Sequence, residues 1–288
     1  MNAELEAKRD RLLELLRSYG RVAVAFSGGV DSALVAKAAM LACGARAVAV
    51  TAVSPSLAQG ELENARNVAR RIGISHEVIS TSEFEQPGYQ ANAGNRCYYC
   101  KSELYGELAG LQQRLAFDVI CNGANLDDRG DHRPGMQAAR EYRVCSPLID
   151  AEFTKADVRE LAQAWDLPVW DKPASPCLAS RVAYGVEVTP ERVRRIDAAE
   201  QLLRTTLAIS VVRVRLEHND LARIEVPVEA LPRLTDDSTR EQIVAGLQAL
   251  GFRYITLDLQ GFRSGSLNAS LPMVSLQLPV RLSGTAPV

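Results

Sequence analysis

A turn of six residues near the amino terminus has the composition that phosphate binding requires. The segment Ser27-Gly28-Gly29-Val30-Asp31-Ser32 follows an apolar run and precedes a helical stretch. Adjacent glycines let the backbone turn sharply and present bare N–H groups to an anion, and a following helix adds positive charge at its N-terminus. The Ser27 and Ser32 hydroxyls can donate to phosphate oxygens, and Asp31 is suited to hold Mg²⁺ bound to the phosphates. The alternative is an ordinary glycine-rich turn between a strand and a helix.

The same segment lacks the lysine with which a GxxxxGK[ST] loop holds the terminal phosphates of a nucleotide. This absence disfavours transfer of the terminal phosphate, which is the reaction of a kinase. The segment instead favours chemistry at the α-phosphate, in which AMP is transferred to a substrate and pyrophosphate is released.

A second polar segment, residues 122–135, follows the fourth predicted strand. In a parallel sheet it lies beside the first segment, because both follow the carboxyl ends of strands. Asp127 or Asp128 could share the Mg²⁺, and Arg133 could neutralise charge that develops on phosphate during the reaction. The alternative is a polar loop that leads into a helix starting at Pro134.

Three of the six cysteines stand where they could do chemistry. Cys97 and Cys100 form a CxxC pair, which suits zinc, an iron–sulfur cluster or a redox pair. Cys177 lies between Lys172 and Arg181, and positive charge favours the thiolate, which is both the better nucleophile and the better metal ligand. The other three lie in apolar runs and are expected to be ordinary core residues: Cys43, Cys121 and Cys145.

Length and composition indicate a folded protein of roughly two domains. The chain has 288 residues, of which 47% are hydrophobic and 24% charged, and its net charge is −2. A slightly acidic chain argues against a nucleic-acid partner, which is usually met by an excess of Lys and Arg. No apolar run reaches the roughly 18 residues that a membrane span needs. We expect a cytoplasmic protein, in which thiols stay reduced.

Short apolar runs alternate with helical stretches up to about residue 150, which predicts a doubly wound α/β domain with a parallel sheet. From residue 189 the pattern changes to a helix, a hairpin, a helix and a strand, which predicts a smaller α+β domain. We place the two domains at residues 1–185 and 186–288. Residues 264–288 show no helix or strand periodicity of apolar residues. Strands are predicted at 21–26, 45–52, 76–79, 118–121, just before Pro147, 211–216, 221–226 and 254–259, and helices at 32–43, 61–72, 102–114, 134–141, 153–165, 190–207 and 238–250. Thr154 and Thr189 are the candidate N-caps of the helices at 153–165 and 190–207.

Four charged residues alternate along the predicted hairpin of the second domain: Arg213, Arg215, Arg223 and Glu225. Arg213 and Arg215 share one face of their strand, because side chains alternate along a strand. Together they can form a basic patch for a phosphate group. The alternative is that they are ordinary solvated strand residues.

The order of SGGVDS, RCYYCK, GANLDDRGDHRPG, KPASPCLASR and RVRLEHNDLARIE resembles one family along nearly the whole chain. It is similar to the LarE-type sulfur transferases, which belong to the PP-loop superfamily of ATP pyrophosphatases. The resemblance implies the PP-loop fold, also described as adenine nucleotide α-hydrolase-like. The hairpin departs from the family pattern, because the segment between Arg215 and the ARIE residues is longer by one residue.

The resemblance also implies a reaction. Members use ATP and Mg²⁺ to adenylate a carboxylate of a pyridinium mononucleotide, and a sulfur nucleophile then displaces AMP to give a thiocarboxylate for the nickel-pincer cofactor of lactate racemase. Cys177 matches the cysteine that surrenders its sulfur in members with one such cysteine. Asp31, Cys177 and Arg181 are accordingly the predicted catalytic residues, and Glu225 resembles an acidic residue placed near the sulfur, where it could contact a metal.

Members that carry all three cysteines resemble a cluster-bearing branch. There, Cys97, Cys100 and Cys177 would hold a [4Fe-4S] cluster whose open iron binds the sulfide that is delivered. The alternatives are a structural zinc, or a packed CxxC pair with Cys177 acting alone. The implied partners are the pyridinium mononucleotide, sulfide or another sulfur donor, and further copies of the chain in a hexamer.

Two other functions remain open. A PP-loop enzyme that thiolates tRNA is one, because some of these enzymes carry three-cysteine clusters; the mildly acidic composition and the CLASR segment disfavour it. The other is a sensor that binds ATP or a metal without turnover, and such a protein would release no pyrophosphate with any carboxylate.

Overall fold

The protein is described by a computed structural model that covers residues 1–128 and 134–263. The strands are β1 (Val22–Ala25), β2 (Ala47–Val53), β3 (Ser75–Ser80), β4 (Val119–Cys121), β5 (Arg213–Glu217), β6 (Leu221–Glu225) and β7 (Tyr254–Leu257). The helices are α1 (Ala3–Ser18), α2 (Val30–Cys43), α3 (Glu61–Ile72), α4 (Pro87–Gln90), α5 (Arg96–Gly110), α6 (Gln112–Leu115), α7 (Pro134–Glu141), α8 (Pro147–Asp150), α9 (Lys155–Ala164), α10 (Pro190–Leu207), α11 (Leu231–Thr235) and α12 (Asp237–Ala249).

The first sheet is parallel and has the strand order β3-β2-β1-β4. Alternate residues of β1 face opposite sides of it, as the two-residue period of a strand requires. Val22 and Val24 pack in one core with α1, α2, α3 and α9, and Ala23 packs in another with α5 and α7. Helices therefore cover both faces, which confirms the predicted α/β class.

The strand predicted just before Pro147 is reduced to a single bridge. Cys145 pairs in parallel with Cys121, next to β4, and α8 begins at Pro147. The proline ends the pairing, because it lacks the N–H that a further ladder hydrogen bond would need. The short strand predicted before Pro147 is therefore present only as this bridge.

Helix α9 begins at a capping box. The Thr154 hydroxyl accepts a hydrogen bond from the Asp157 N–H at 3.2 Å, and the Asp157 carboxylate accepts one from the Thr154 N–H at 2.9 Å. These bonds satisfy backbone N–H groups that a helix start leaves without intrahelical partners. The predicted cap at Thr154 is confirmed, and it places Lys155 at the first helical position.

Helix α5 begins at Arg96, six residues before the predicted start at residue 102. Cys97 and Cys100 consequently lie in its first two turns, three residues apart on one side of the helix. The side chain of Asn95, the residue before the helix, makes no capping hydrogen bond. Asparagine nevertheless favours this position, so the sequence offered a start signal at Asn95 that the prediction did not use.

The second sheet has the order β5-β6-β7. Strands β5 and β6 form the predicted antiparallel hairpin, and β7 joins β6 in parallel after α11 and α12. The hairpin turn carries Asn219 and Asp220 at φ values of 59° and 55°, a left-handed backbone that Asn and Asp tolerate better than most residues.

One hydrophobic core joins the amino-terminal segment to this second sheet. It contains Phe84, Tyr89 and Leu178 together with apolar residues of α10, β5 and β6. Asn92 reinforces the junction, since its side-chain amide donates to the carbonyls of Ala183 and Val186, at 2.7 and 3.0 Å. The two predicted units thus pack continuously, and the boundary at residue 185 stays a prediction. Among the described residues, none of the helices has the length and apolar character that crossing a membrane requires.

Candidate active site

The predicted phosphate turn joins β1 to α2, as expected, and its two serines contact each other. The Ser27 and Ser32 hydroxyl oxygens lie 3.1 Å apart, and the Ser32 hydroxyl donates to the Gly29 carbonyl at 3.1 Å. The N–H of Gly29 points back to the Ser27 hydroxyl at 3.3 Å. The turn is therefore held in shape by its own hydrogen bonds.

Two glycines allow neighbouring chain segments to approach this turn closely. Gly28 has a φ of 72°, and a Cβ there would lie 2.9 Å from the Cα of Ala65 in α3. A Cβ on Gly123, just after β4, would lie 2.8 Å from the N–H nitrogen of Ser32. The second polar segment therefore lies against the first, at the carboxyl edge of the sheet, as the parallel topology predicted.

At this edge of the sheet, Asp31 contacts two residues that were not predicted from the sequence, Lys155 and Asn125. The ammonium group of Lys155 lies 2.7 and 2.5 Å from its two carboxylate oxygens, and the Asn125 amide donates to one of them at 3.0 Å. The Asp31 side chain is partly exposed. It is therefore a carboxylate at the phosphate turn that already attracts a cation, which fits the predicted Mg²⁺ role.

The two other acidic candidates brace the loop that follows β4. Asp128 accepts a hydrogen bond from the Asn125 N–H at 3.0 Å, and Asp127 accepts one from the Lys155 N–H at 2.6 Å. These bonds keep Asn125 and Lys155 in reach of Asp31. Whether Asp128 also contacts Mg²⁺ stays a prediction, and Arg133 lies outside the described residues.

Cys177 is exposed, and it ends an exposed stretch that runs from residue 173. A short 3₁₀ turn, Leu178–Arg181, follows it and is largely buried. The Leu178 N–H donates to the Ser56 carbonyl at 2.8 Å, and the Ala183 N–H donates to the Leu216 carbonyl at 2.9 Å. The thiol is thus presented at the surface by a segment that is anchored on its carboxyl side.

Three buried arginines hold the backbone around Cys177. Arg181 donates to the carbonyls of Pro176 and Cys177, the latter at 2.9 Å. Arg213 donates to the Ala174 carbonyl at 3.2 Å, and Arg215 donates to the Ser180 carbonyl at 3.1 Å. We call residues 174–181 with these guanidinium groups the arginine-held loop. Three guanidinium groups are thus hydrogen-bonded to backbone carbonyls on both sides of the cysteine.

The charge of Arg181 is balanced in the core by Glu200 of α10, which the sequence analysis missed. The Arg181 Nε lies 3.0 Å from a Glu200 oxygen, and both side chains are almost fully buried. The second Glu200 oxygen accepts from Arg204 at 2.7 Å. Breaking such a buried pair typically costs about 3–5 kcal/mol. Arg181, predicted to be catalytic, is thus placed as a support for the loop, and its catalytic role stays a prediction.

Arg213 and Arg215 share a face of β5, as predicted, but they are buried rather than solvated. Burial, with the like charge of Arg181, lowers the pKa of Arg213 to about 10, so this residue stays charged at neutral pH. Its guanidinium also lies over the Phe262 ring, 5.3 Å from the centroid. The side chains of Arg213 and Arg215 both donate to carbonyls of the loop, so the two arginines support its backbone. Their phosphate-binding role stays a prediction.

Glu225 lies in an ion-pair network on the second sheet. Its carboxylate is fully buried and accepts hydrogen bonds from Arg215 and Arg223, each at 2.7 Å. Arg223 also reaches Asp258 at 3.0 Å. The contact of Glu225 with a metal stays a prediction, and its observed partners are the two arginines.

The three candidate cysteines share one region. Desolvation raises the pKa of Cys97 and brings that of Cys100 to about 12, and the charge of Cys177 adds to both effects. The buried guanidinium of Arg96 opposes the shift at Cys97. Within residues 1–128 and 134–263, however, no three Cys, His, Asp or Glu side chains are arranged to hold a metal ion. The thiols therefore do not form the predicted three-thiolate site in this conformation.

Comparison with known proteins identifies the family. The profile of the asparagine synthase family matches residues 10–89, the part that contains the phosphate turn. The pyridinium-3,5-bisthiocarboxylic acid mononucleotide synthase of Lactiplantibacillus plantarum is 38% identical over 276 residues, which cover 95% of this chain and 98% of that protein. The chain belongs to the LarE-type sulfur transferases. As a member of this PP-loop family, it is a sulfur transferase with ATP pyrophosphatase activity.

Two further relatives match different shares of the chain. An uncharacterized protein of Synechocystis sp. is 48% identical over 267 residues, which cover 93% of this chain and 99% of that protein. A tRNA-specific 2-thiouridylase of Acidiphilium cryptum is 31% identical, but the match covers only 59% of this chain and 55% of the enzyme. The tRNA-thiolating relative thus matches only part of this chain, whereas the L. plantarum and Synechocystis proteins match nearly all of it.

Proposed function

We propose that the protein is an ATP-dependent sulfur transferase that converts a carboxylate of a pyridinium mononucleotide into a thiocarboxylate for nickel-pincer cofactor biosynthesis. The observation that carries the proposal is an exposed thiol, Cys177, on a loop held by three arginines in a PP-loop protein. The substrate class is supported by the name of the L. plantarum relative.

The first step is adenylation. A carboxylate oxygen of the substrate attacks the α-phosphorus of ATP, the bond to the bridging oxygen breaks, and pyrophosphate leaves with the electron pair. The turn at residues 27–32 supplies N–H groups and hydroxyls to the phosphates. Asp31 is the residue that would hold Mg²⁺, which offsets negative charge on the phosphates when it is bound. The product is a mixed anhydride, whose carbonyl carbon is activated because AMP is a good leaving group.

The second step is sulfur transfer. A sulfur nucleophile attacks the carbonyl carbon, the bond between this carbon and the AMP oxygen breaks, and AMP leaves. If Cys177 supplies its own sulfur, the acyl thioester then loses the Cα proton of Cys177 and the Cβ–S bond breaks. This releases the thiocarboxylate and leaves dehydroalanine. Delivery of inorganic sulfide would spare the cysteine and allow repeated turnover.

The positive charge of the arginine-held loop suits the anionic parts of the reactants. Arg213 remains charged at neutral pH, because its lowered pKa is still about 10. A substrate phosphate drawn to this charge would bring the carboxyl group towards Cys177. The [4Fe-4S] cluster of Cys97, Cys100 and Cys177 and the hexameric assembly remain predictions from the sequence, and neither step above depends on them.

The Cys177→Ala variant separates the two steps. We expect it to release pyrophosphate at close to the wild-type rate in the presence of the pyridinium dicarboxylate mononucleotide, and to form no thiocarboxylate by mass spectrometry. Cys145→Ala is the matched control, because this cysteine lies beside β4 and should leave both steps unchanged. Thiocarboxylate formation by Cys177→Ala would refute the role of Cys177, whereas loss of both steps would indicate a structural one.

The Asp31→Ala variant tests the phosphate turn. We expect substrate-dependent pyrophosphate release to fall by at least 100-fold, because the variant loses the carboxylate that would position Mg²⁺. Asp237→Ala, at the exposed start of α12, is the control and should behave as the wild type. Wild-type release by Asp31→Ala would exclude the Mg²⁺ role. If the wild type releases pyrophosphate only with tRNA, the function would instead be tRNA thiolation.

A further inference from the structure

The segment that leads from β2 into α3 contacts the chain on both sides of Cys177. After the cysteine, the Leu178 N–H donates to the Ser56 carbonyl at 2.8 Å. Before the cysteine, the Ser175 hydroxyl donates to the carboxylate of Glu61, the first residue of α3, at 3.2 Å. The place of Cys177 therefore depends on this segment as well as on the three arginines.

Glu61 makes a second contact on the same side of the cysteine. The Lys172 ammonium group lies 2.7 Å from the Glu61 oxygen that Ser175 leaves unused, and both charged side chains are about three-quarters buried. The backbone of Lys172 is itself anchored, because Arg159 of α9 donates to the carbonyls of Trp170 and Lys172 at 2.8 and 3.1 Å. Both oxygens of the Glu61 carboxylate are thus engaged by residues that lead up to Cys177.

Helix α3 connects this contact to the phosphate turn. The Asn64 amide donates to the Gly28 carbonyl at 3.2 Å, and Ala65 is the residue whose Cα a side chain at Gly28 would meet. Residues separated by three or four positions share one face of a helix, so Glu61, Asn64 and Ala65 lie together. One face of α3 therefore contacts both the phosphate turn and the residues before Cys177.

The arginine-held loop is consequently held from two directions. Arg213 and Arg215 reach its carbonyls from β5 of the second sheet. Ser56 and Glu61 reach it from the segment that follows β2 of the first sheet. The second set of contacts continues through α3 to the phosphate turn, so it is the set that relates Cys177 to a bound nucleotide.

We propose that Glu61 is a positioning residue for sulfur transfer: through Lys172 and Ser175 it sets the place of Cys177 relative to the acyl adenylate formed at the phosphate turn. Glu61 acts through these two side chains and not on the reacting atoms. Such a role has a large effect on rate, because reacting atoms must approach to about 3–3.5 Å and a displacement of about 1 Å can slow a step about a hundredfold. This inference rests on the proposed function, to which it adds the residue that aligns its second step with its first.

The Glu61→Gln variant removes the charge that holds Lys172 and keeps the shape of the side chain. In a single turnover with saturating ATP and pyridinium dicarboxylate mononucleotide, we expect pyrophosphate release at close to the wild-type rate. The amount of thiocarboxylate formed per pyrophosphate should fall about fivefold or more, because water hydrolyses the acyl adenylate to carboxylate and AMP before the thiol reaches it. A loss of folded enzyme would lower both products and leave their ratio unchanged, so the ratio reports positioning.

Glu63→Gln is the matched control. Glu63 lies in the same first turn of α3 and pairs with Arg70 on the surface at 2.8 Å. The substitution is the same, and it removes a similar interaction with the positive end of the helix. The ratio of thiocarboxylate to pyrophosphate should equal that of the wild type.

A double variant tests the route through Lys172. Lys172→Met should lower the ratio of thiocarboxylate to pyrophosphate as Glu61→Gln does. The two changes together should do no worse than either alone, since both remove one ion pair. Additive losses would overturn the proposed route through Lys172.

Limited proteolysis tests the hold of Glu61 on the loop without any reaction. Elastase cuts after small residues, and Ala174 lies in the exposed stretch before Cys177. Cleavage after Ala174 in the nucleotide-free protein, followed by mass spectrometry, should be about threefold faster in Glu61→Gln than in the wild type or Glu63→Gln, because a released loop opens more often. Equal cleavage rates in all three proteins would overturn the proposal.

The two measurements separate this inference from the proposed function. If the wild type releases pyrophosphate but forms no thiocarboxylate, the proposed function fails, and the proteolysis result alone decides whether Glu61 holds the loop. If the wild type forms thiocarboxylate and Glu61→Gln has the wild-type ratio, the proposed function stands and the positioning role of Glu61 is overturned.

Discussion

At the scale of single residues, the carboxylate of Asp31 already has a cation beside it. Lys155 reaches both of its oxygens from the first position of α9, 124 residues further along the chain. Lys155 and Mg²⁺ would compete for this carboxylate, because each is a cation that binds its oxygens. Lys155 therefore orients Asp31 through an ion pair that a bound Mg²⁺ would weaken.

Replacing Lys155 with methionine should lower the Mg²⁺ concentration for half-maximal pyrophosphate release by roughly fivefold. The reason is that the competing ammonium group is removed, and a partly exposed ion pair is worth up to about 1 kcal/mol. Titration of the reaction with Mg²⁺ at fixed ATP measures the change. Lys172→Met, which removes a different partly buried ion pair, to Glu61, is the control. A higher Mg²⁺ requirement in Lys155→Met would mean that Lys155 assists binding of the metal–nucleotide complex instead.

The functional residues predicted from the sequence lie in contiguous segments, whereas those that were missed depend on contacts between distant segments. The phosphate turn and the Cys177 segment are contiguous in the chain, so their composition could be interpreted directly. Lys155 and Glu200 contact residues of other elements, and each looks like an ordinary charged residue in its own segment. Only the packing of distant elements gives them their partners, and a single sequence carries no sign of it.

At the scale of elements, the contact between the phosphate turn and α3 depends on the absence of a side chain. Gly28 has positive φ and meets the backbone of α3. A side chain there would be strained by the backbone and blocked by Ala65, which cannot move aside as a flexible side chain could. Its neighbour Gly29 has a φ of −84° and faces only the Ser27 hydroxyl, at 3.4 Å.

Gly28→Ala should therefore destabilise the protein by about 1–3 kcal/mol, the usual range for strained backbone and overpacking. Gly29→Ala is the matched control and should change the free energy of unfolding by less than about 1 kcal/mol. Urea unfolding followed by circular dichroism measures both variants. Equal stabilities for the two would show that α3 yields to the added methyl group, contrary to the contact described here.

Elements with strong end signals were located well from the sequence. Helices α3 and α7 have the predicted bounds, and α9 and α10 begin after the predicted threonine caps. Helix α5 was placed too late because Asn95, at its N-cap position, was not taken as a start signal. The consequence is functional, since the CxxC cysteines were taken to precede a helix and in fact lie on one.

At the scale of the whole molecule, stability should depend on pH through His76 of β3. Its Nε2 lies 2.8 Å from the Thr51 hydroxyl, and burial, with the charge of Arg66, lowers its pKa below the usual 6.5. The native state thus favours the neutral ring. As pH falls below about 6.5, the unfolded chain takes up a proton that the native state does not, so stability falls by up to about 1.4 kcal/mol per pH unit. The loss ends below the native pKa.

His76→Gln should remove this part of the pH dependence. Thermal unfolding between pH 7.5 and 5 should show a smaller fall in Tm than for the wild type, because glutamine does not titrate. His218→Gln is the control, since that side chain is exposed in the hairpin turn. An identical pH profile for His76→Gln and the wild type would mean that other groups cause the loss of stability at mildly acidic pH.

The arrangement of the whole chain was less accessible from the sequence than its parts. The parallel sheet and the hairpin followed from periodicity and turn residues. The continuous core between Tyr89, Leu178 and the second sheet did not, because it joins segments that look like separate units. Asn92, fully buried and bonded to backbone carbonyls across that junction, likewise resembles a loop residue in the sequence.

The tether from Leu178 to Ser56 limits how far the Cys177 sulfur can travel. The residue after the cysteine is pinned to the loop beyond β2, and the next turn is buried. On the amino-terminal side, residues 173–176 are exposed, but Arg213 bonds the Ala174 carbonyl and Arg181 bonds the Pro176 carbonyl. The Cys177 thiol therefore cannot carry sulfur from one distant site to another. The acyl adenylate must instead be made within a few ångströms of where the sulfur already stands.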